Sequence, residues 1–130
     1  MWPFRQRQNR MVEELEELRR NRIVTLEGEI TDEIATVVIA KLLFLEDDDA
    51  LRPITLRIAS PGGDFAAGMA VIDTMRSLKP PIRTEARTLA HGMALAILAS
   101  GTKGTRVIGA NAQYSLGAVT SRDESMPWRT

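Results

Sequence analysis

The chain has 130 residues, 44% of them hydrophobic and 26% charged, with seventeen basic and seventeen acidic side chains. This size predicts one compact domain with a substantial core, and the balanced charge argues against nucleic acid or an anionic membrane as a partner. The chain contains no cysteine, which excludes disulfides, thiolate nucleophiles and cysteine-ligated metals. Because no apolar run reaches about 18 residues and no signal-peptide core opens the chain, we expect a cytoplasmic protein without membrane association.

The first 28 residues predict a charged helix followed by a strand. Met11, Leu15 and Leu18 give residues 5–22 a narrow apolar stripe at helical spacing, which is typical of a helix that packs outside the main core. Residues 22–28 alternate loosely between apolar and polar side chains and end at a glycine, as a strand does.

A second helix is predicted after Thr31 or Asp32, either of which can cap its N-terminus. Its apolar positions are Ile34, Val37, Val38, Leu42 and Leu45. Four consecutive acidic residues, 46–49, end this helix, and because carboxylates are unfavourable near a helix C-terminus we expect it to fray there. A metal site in this run is disfavoured, since no histidine or glycine supports a calcium-loop pattern.

The turn Ser60-Pro61-Gly62-Gly63 joins a predicted buried strand, residues 54–59, to a predicted helix, residues 64–79. Such a turn presents backbone N–H groups at the strand's carboxyl end, where acyl-transfer enzymes place an oxyanion hole. Asp64 either caps the helix or sets a carboxylate beside that hole, and we favour the cap. The apolar face of the helix is expected to contain Phe65, Met69, Ile72 and Met75.

The remaining chain predicts strands at residues 82–88, 105–108 and 113–119 and an apolar helix at residues 92–100. The alternation of strands and helices favours an α/β fold with a mainly parallel sheet and a functional crevice at the carboxyl ends of the strands. We expect the two elbows, residues 60–63 and 90–93, to meet in that crevice.

Five sequence blocks follow one another along residues 22–119. They are Leu42-Leu43-Phe44-Leu45-Glu46, Ser60-Pro61-Gly62-Gly63, Gly68-Met69-Ala70-Val71-Ile72-Asp73-Thr74-Met75, Lys79-Pro80 and Gly101-Thr102-Lys103-Gly104-Thr105-Arg106. In this order they make the chain resemble the proteolytic subunit of Clp protease. The resemblance implies a crotonase-like ββα superhelix, serine peptidase activity in active members, and two stacked seven-membered rings fed by an AAA+ unfoldase.

The resemblance also implies where the catalytic residues of active members would fall. The nucleophile of the family opens the apolar helix, and here that slot is Gly92, followed by Met93. The catalytic histidine, counted from Asn111, falls at Gly117. The acid and the handle helix come later in the family than Thr130, so we expect the handle region to be missing. Glycine supplies neither a nucleophile nor a base, and serine acyl transfer needs both, so we predict a member without its own catalytic triad.

Several backbone N–H groups are expected to remain as a remnant oxyanion hole, which could bind a carbonyl group or a peptide backbone. They belong to Gly62, Gly63, Asp64 and Met93. The resemblance therefore favours a structural or regulatory subunit, either in a homo-oligomer or in a mixed heptameric ring with active subunits. No cofactor or metal ion is expected.

Two alternatives stay open beside the inactive subunit. His91 is the single histidine and adjoins the nucleophile slot, so it could serve as the base for a relocated nucleophile at Ser115 or Ser60. Against this, no matched acid is evident and Ser60 belongs to the turn. The other alternative is a crotonase-like acyl-binding or peptide-binding module, although no basic cluster for a nucleotide phosphate lies near either elbow.

Partner contacts also differ from those that the family resemblance implies. Thr55 and Arg57 stand where active members carry aromatic residues of an apolar pocket for unfoldase loops, so we expect weakened docking of such loops. We divide the chain into a charged helix at residues 1–21, a core domain at residues 22–119 and a tail at residues 120–130, which we expect to be unstructured or to pair with a partner.

Overall fold

The computed structural model describes residues 3–117 of the chain. Helices and strands alternate along them in the order α1 (Pro3–Asn21), β1 (Ile23–Glu27), α2 (Asp32–Asp48), β2 (Ile54–Ser60), α3 (Phe65–Ser77), β3 (Ile82–His91), α4 (Met93–Ala99), β4 (Arg106–Ile108) and β5 (Gln113–Ser115). The strand predicted at 113–119 ends at Ser115, so its extension through residues 116–117 is wrong. Residues 118–119 of that strand and the tail at residues 120–130 lie outside the described residues.

The strands form one parallel sheet in the order β1-β2-β3-β4, and β5 pairs with the far end of β3. A strand that returns through a helix must run parallel to the strand before it, and α2, α3 and α4 provide those returns. The ten residues of β3 therefore bind β4 through Thr84–Ala86 and β5 through Leu89–His91. The predicted α/β fold with a mainly parallel sheet is confirmed.

The hydrophobic core lies between one face of the sheet and helices α2, α3 and α4. In β2, Ile54, Leu56 and Ile58 are buried, and the alternate residues on the opposite face are half-buried. Burial of one such aliphatic side chain contributes about 1.5–3 kcal/mol.

Helix α1 lies outside this core, as predicted, because its only buried side chain is Leu18.

Both predicted helix starts are confirmed by their caps. The Thr31 hydroxyl accepts a hydrogen bond from the Ile34 N–H at 3.2 Å, and the Asp64 carboxylate accepts one from the Ala67 N–H at 2.8 Å. The predicted apolar faces are only partly right, because Val37 is 51% exposed and Phe65 is 50% exposed. The apolar face of each helix is wider than the surface that the core covers. Residues at the edge of that face, such as Val37 and Phe65, therefore lie in solvent.

The predicted fraying of the acidic end of α2 is wrong, because the helix remains regular to Asp48. The Asp49 N–H donates to the Leu45 carbonyl at 3.0 Å, and Arg19 donates to the Asp48 carboxylate at 3.0 Å. Cations from the end of α1 thus offset the unfavourable charge at this helix terminus.

Arg22 is the buried centre of this junction, with 1% of its surface exposed and a left-handed backbone at φ 54°. Its guanidinium donates to the carbonyl oxygens of Leu45 at 3.1 Å, Asp49 at 2.8 Å, Arg52 at 2.8 Å and Pro53 at 3.3 Å. Burial lowers the pKa of this group, yet it stays charged because arginine titrates far above neutral pH. One side chain therefore ties the end of α2 to the loop that enters β2.

Candidate functional site

The two elbows meet at the carboxyl end of the sheet, as the sequence predicts. Ser60 of β2 pairs with Ala90 of β3 in the parallel register. A Cβ atom on Gly62 would lie 2.8 Å from the His91 carbonyl oxygen and 3.7 Å from the Met93 nitrogen. Only glycine permits this approach, so the first elbow packs directly against the backbone of the second.

Ser60 stabilises its own turn. Its side chain is fully buried, and its hydroxyl oxygen accepts a hydrogen bond from the Gly62 N–H at 3.1 Å. Without exposure and without an imidazole partner among residues 3–117, Ser60 is not placed as a nucleophile.

Ile30, in the segment that precedes α2, forms two backbone hydrogen bonds with the turn at residues 60–63 and the residue after it. The Ile30 N–H donates to the Gly62 carbonyl at 2.9 Å, and the Asp64 N–H donates to the Ile30 carbonyl at 2.9 Å. Gly63 lies between these two bonds at φ 155°, and a Cβ atom there would overlap the Ile30 backbone. The turn is therefore rigid and specific for glycine.

These bonds distinguish the four amides that the sequence assigns to a remnant oxyanion hole. The N–H groups of Gly62 and Asp64 have intramolecular acceptors, in Ser60 and Ile30 respectively. The N–H groups of Gly63 and Met93 have no acceptor within the described part of the chain. An oxyanion needs two unoccupied donors, and these two amides are the pair that remains.

Gly92 occupies a sharp strand-to-helix turn between β3 and α4, with φ 55° and ψ −122°. Its N–H donates to the Ser115 carbonyl at 2.9 Å, and its own carbonyl accepts from Leu95 and Ala96 at the start of α4. A Cβ atom on Gly92 would have the Leu116 carbonyl oxygen as its nearest neighbour, at 4.0 Å. The backbone thus has the left-handed turn of a nucleophile elbow, which glycine adopts without strain, and the residue carries no hydroxyl.

Gly117, the predicted histidine slot, lies on the segment that passes this elbow. Its φ is 49°, and a Cβ atom on it would lie 3.6 Å from the Ser115 hydroxyl oxygen. Since Ser115 and Leu116 both contact Gly92, the fold brings the two glycine slots to one place. The two positions that the resemblance assigns to a nucleophile and a base therefore lie close together, and both are glycines.

The structure does bring together one predicted pair, His91 and Ser115. The two residues are register partners in β3 and β5, and the His91 Nδ1 lies 2.8 Å from the Ser115 Oγ. Ser115 is exposed and His91 is half-buried. Within residues 3–117 no carboxylate binds the imidazole to orient it, so this is a pair and not a triad.

Sequence analysis missed an apolar groove of about 590 Å³ beside this pair. It lies between α4 and the short strands β4 and β5, and its lining includes Leu95, Ala99, Ile108, Tyr114 and Leu116. The short strands carry few apolar residues at strand spacing, so the sequence offers no periodic signal for this surface.

The sheet face that carries Thr55 and Arg57 is also more charged than expected. Arg57 is 43% exposed and forms a close ion pair with Glu85, whose side chain is 7% exposed. Arg83 and Arg87 lie on the same strand face as Glu85, at 3.7 and 3.6 Å from its carboxylate. The sequence does contain a signal for this cluster, because Arg83, Glu85 and Arg87 alternate along β3 and so lie on one face of the strand.

In the part of the chain that the structure describes, no cluster of three acidic or histidine side chains is placed to hold a metal ion. In the same residues, no helix is both long and apolar enough to cross a membrane.

A family model described as Clp protease matches residues 6–120. The chain belongs to the Clp protease family. The ATP-dependent Clp protease proteolytic subunit of Leuconostoc citreum (strain KM20) is 43% identical over 97 residues, which cover 75% of this chain and 48% of that protein. The chain thus spans about half the length of the curated relative it matches. The Clp family membership predicted from the five sequence blocks is confirmed, and the parallel α/β sheet is consistent with it.

Proposed function

We propose that this chain is a non-catalytic Clp-family subunit that enters rings of family subunits in the cytoplasm and contributes structure or regulation instead of peptide-bond cleavage. The observation that carries the proposal is the sharp turn at Gly92, which has the left-handed backbone of a nucleophile elbow and lacks a hydroxyl. Gly117 beside it lacks an imidazole.

The chemistry of acyl transfer makes these two glycines decisive. A serine hydroxyl attacks a peptide carbonyl only when a base within hydrogen-bond reach removes its proton. When triad members are removed from a serine protease, catalysis falls to about 10³–10⁴-fold over water, which the oxyanion hole and substrate binding supply. Peptide hydrolysis at Gly92 is therefore negligible beside that of an active member.

Peptide binding without cleavage fits the geometry that remains. The unoccupied N–H groups of Gly63 and Met93 can donate to a carbonyl oxygen, and the glycine turn that holds the first of them is rigid. Docking of an apolar unfoldase loop is weakened, since Arg57 and Glu85 place charges where such a loop would need apolar contacts.

A reactive-serine probe tests the proposal directly. Wild-type protein is expected to show no labelling of residues 90–93 by a fluorophosphonate and no cleavage of a fluorogenic peptide. The Gly92→Ser/Gly117→His variant is expected to be labelled at position 92 at least about tenfold faster than Gly92→Ser alone, because a positioned base accelerates such a step. Peptide cleavage by the purified wild type would contradict the proposal, and its loss in Ser115→Ala would locate that activity at Ser115.

The 2.8 Å contact between His91 and Ser115 supports a second candidate, an acyl-transfer site at a relocated serine. In it, the Ser115 Oγ attacks a carbonyl carbon and its proton passes to the His91 Nδ1. The bond between that carbon and the leaving group breaks as the imidazole returns the proton to the leaving group, and water then hydrolyses the Ser115 ester and releases the acid. The groove beside Ser115 would take an apolar acyl chain. This candidate requires probe labelling at Ser115 that His91→Ala abolishes, and an unlabelled Ser115 eliminates it.

A further inference from the structure

Helix α1 leaves most of its surface uncovered in the single chain. It has 19 residues and so extends about 29 Å, with only Leu18 buried. Phe4 is 69% exposed and Met11 is 62% exposed, although both belong to its apolar stripe. A helix with an exposed apolar stripe is stable when another surface covers it.

The second half of α1 is strongly acidic. We define the acidic segment as the exposed residues Glu13, Glu14, Glu16 and Glu17. Glu14 and Glu17 border a cleft of about 380 Å³ between α1 and β1 of the same chain. Glu13 and Glu16 do not line that cleft, and the contact of Glu16 with Arg19 at 3.4 Å joins two exposed side chains, which is a weak interaction.

The sheet face opposite the core carries the complementary charge. We define the arginine face as Arg57, Arg83 and Arg87 around Glu85. Arg57 lies opposite Glu85 in the register of β2 and β3, and the other two arginines lie two residues to either side of it. Three guanidinium groups share one carboxylate, so the face has an excess charge of +2 in a chain whose formal net charge is zero. Arg87 is 71% exposed and Arg83 is 52% exposed, so both can bind further carboxylates.

We infer that the acidic segment of one copy docks on the arginine face of a second copy. Within one chain, Arg57 lines the same cleft as Glu14 and Glu17, whereas Glu13, Glu16, Arg83 and Arg87 do not line it. The partner is a second copy because these four charges lie outside that cleft on both surfaces, and Val107, the register partner of Glu85, adds an exposed apolar side chain to the arginine face. A contact between two different patches is heterologous, and it closes into a ring when its rotation permits. The inference rests on the proposed ring function and identifies the surfaces that build the ring.

Charge reversal on each surface tests the inference. The helix variant is Glu13→Lys/Glu16→Lys, which leaves the carboxylates of the intrachain cleft in place. The face variant is Arg83→Glu/Arg87→Glu, which keeps the pair of Arg57 and Glu85. The control is Arg76→Glu/Lys103→Glu, which changes the net charge as the face variant does, at exposed positions on α3 and in the turn before β4. Circular dichroism checks the fold of each variant, and sedimentation velocity measures assembly at about 0.05 M and 0.5 M NaCl, where screening lengths differ severalfold.

The wild type and the control are expected to assemble, more strongly at low salt, and each charge-reversed variant to weaken assembly at least about tenfold. An equimolar mixture of the two variants is expected to assemble again, since each can then offer the other an opposite charge. Wild-type rings that neither variant disturbs would overturn the inference and leave the proposed function standing. The inference also fails, with the proposed function intact, if the wild type is monomeric alone but enters rings of active Clp subunits. A chain that does neither contradicts both proposals.

Discussion

At the scale of single residues, glycine determines both the shape and the chemistry of the site. Gly63 lets the backbone approach Ile30, and Gly92 forms the turn between β3 and α4 with a φ of 55°. The Pro-Gly-Gly turn identifies the first position from the sequence alone, and the assignment of the second as a nucleophile slot stays a prediction from the family resemblance. Of the four amides that the sequence assigns to a remnant oxyanion hole, the occupation of the Asp64 amide could not be predicted, because its acceptor is the Ile30 carbonyl from a distant part of the chain.

Gly63→Ala is expected to destabilise the protein by about 2 kcal/mol or more, since a Cβ atom would overlap the Ile30 backbone at an unfavourable φ. Gly104→Ala is the matched control, because Gly104 also has a positive φ of 88° but has no neighbouring atom within 4 Å of a Cβ position. The control is expected to cost about 1 kcal/mol, from backbone strain alone. Urea unfolding measures both costs, and equal values would refute the role of the close approach.

Arg22→Lys is expected to destabilise the protein by about 3 kcal/mol, because an ammonium group with three donors cannot replace a planar guanidinium that serves four carbonyl oxygens. Arg20→Lys, on the exposed side of α1, is expected to change stability by less than about 0.5 kcal/mol. Denaturant midpoints compare the two, and a tolerated Arg22→Lys would show that these bonds contribute little.

At the scale of elements, local signals predict the starts of helices better than their ends. Thr31 and Asp64 are recognisable caps, and both accept the expected hydrogen bonds. The end of α2 was wrongly expected to fray, because the arginines that stabilise it come from another element. The length of β3 was likewise underestimated, since residues 89–91 become a strand only by pairing with β5.

The end of α2 should make stability depend on pH through Asp49. Hydrogen bonds from the N–H groups of Leu51 and Arg52 hold the pKa of this carboxyl below its usual range, and the Arg22 charge acts in the same direction. A lowered folded-state pKa stabilises the fold above the unfolded value of about 3.9, and this contribution is lost as pH falls through the folded value.

The stability advantage of the wild type over Asp49→Asn is therefore expected to be constant near neutral pH and to shrink as pH falls below about 4. Thermal melts between about pH 3 and pH 7 measure it, with Asp47→Asn as a neighbouring control. An advantage that stays the same across this range would contradict the assignment.

At the scale of the whole molecule, the parallel sheet follows from the alternation of strands and helices, and the Clp family follows from five sequence blocks. Alternate charges along residues 83–87 indicate part of the arginine face, but the sequence did not reveal that Glu85 is buried or that Arg57 lies opposite it, because both depend on pairing between β2 and β3. It also did not reveal the groove beside α4, which forms only when β4 and β5 join the sheet. Surfaces built by several short elements carry little periodic signal, whereas a core packed by long elements carries much.

The most direct test of the account is native mass spectrometry of the tagged chain purified from its own host, which gives the mass and composition of the intact assembly. The account predicts rings that contain this chain, alone or together with a triad-bearing Clp subunit. A monomer that is never recovered with other Clp-family subunits would contradict it.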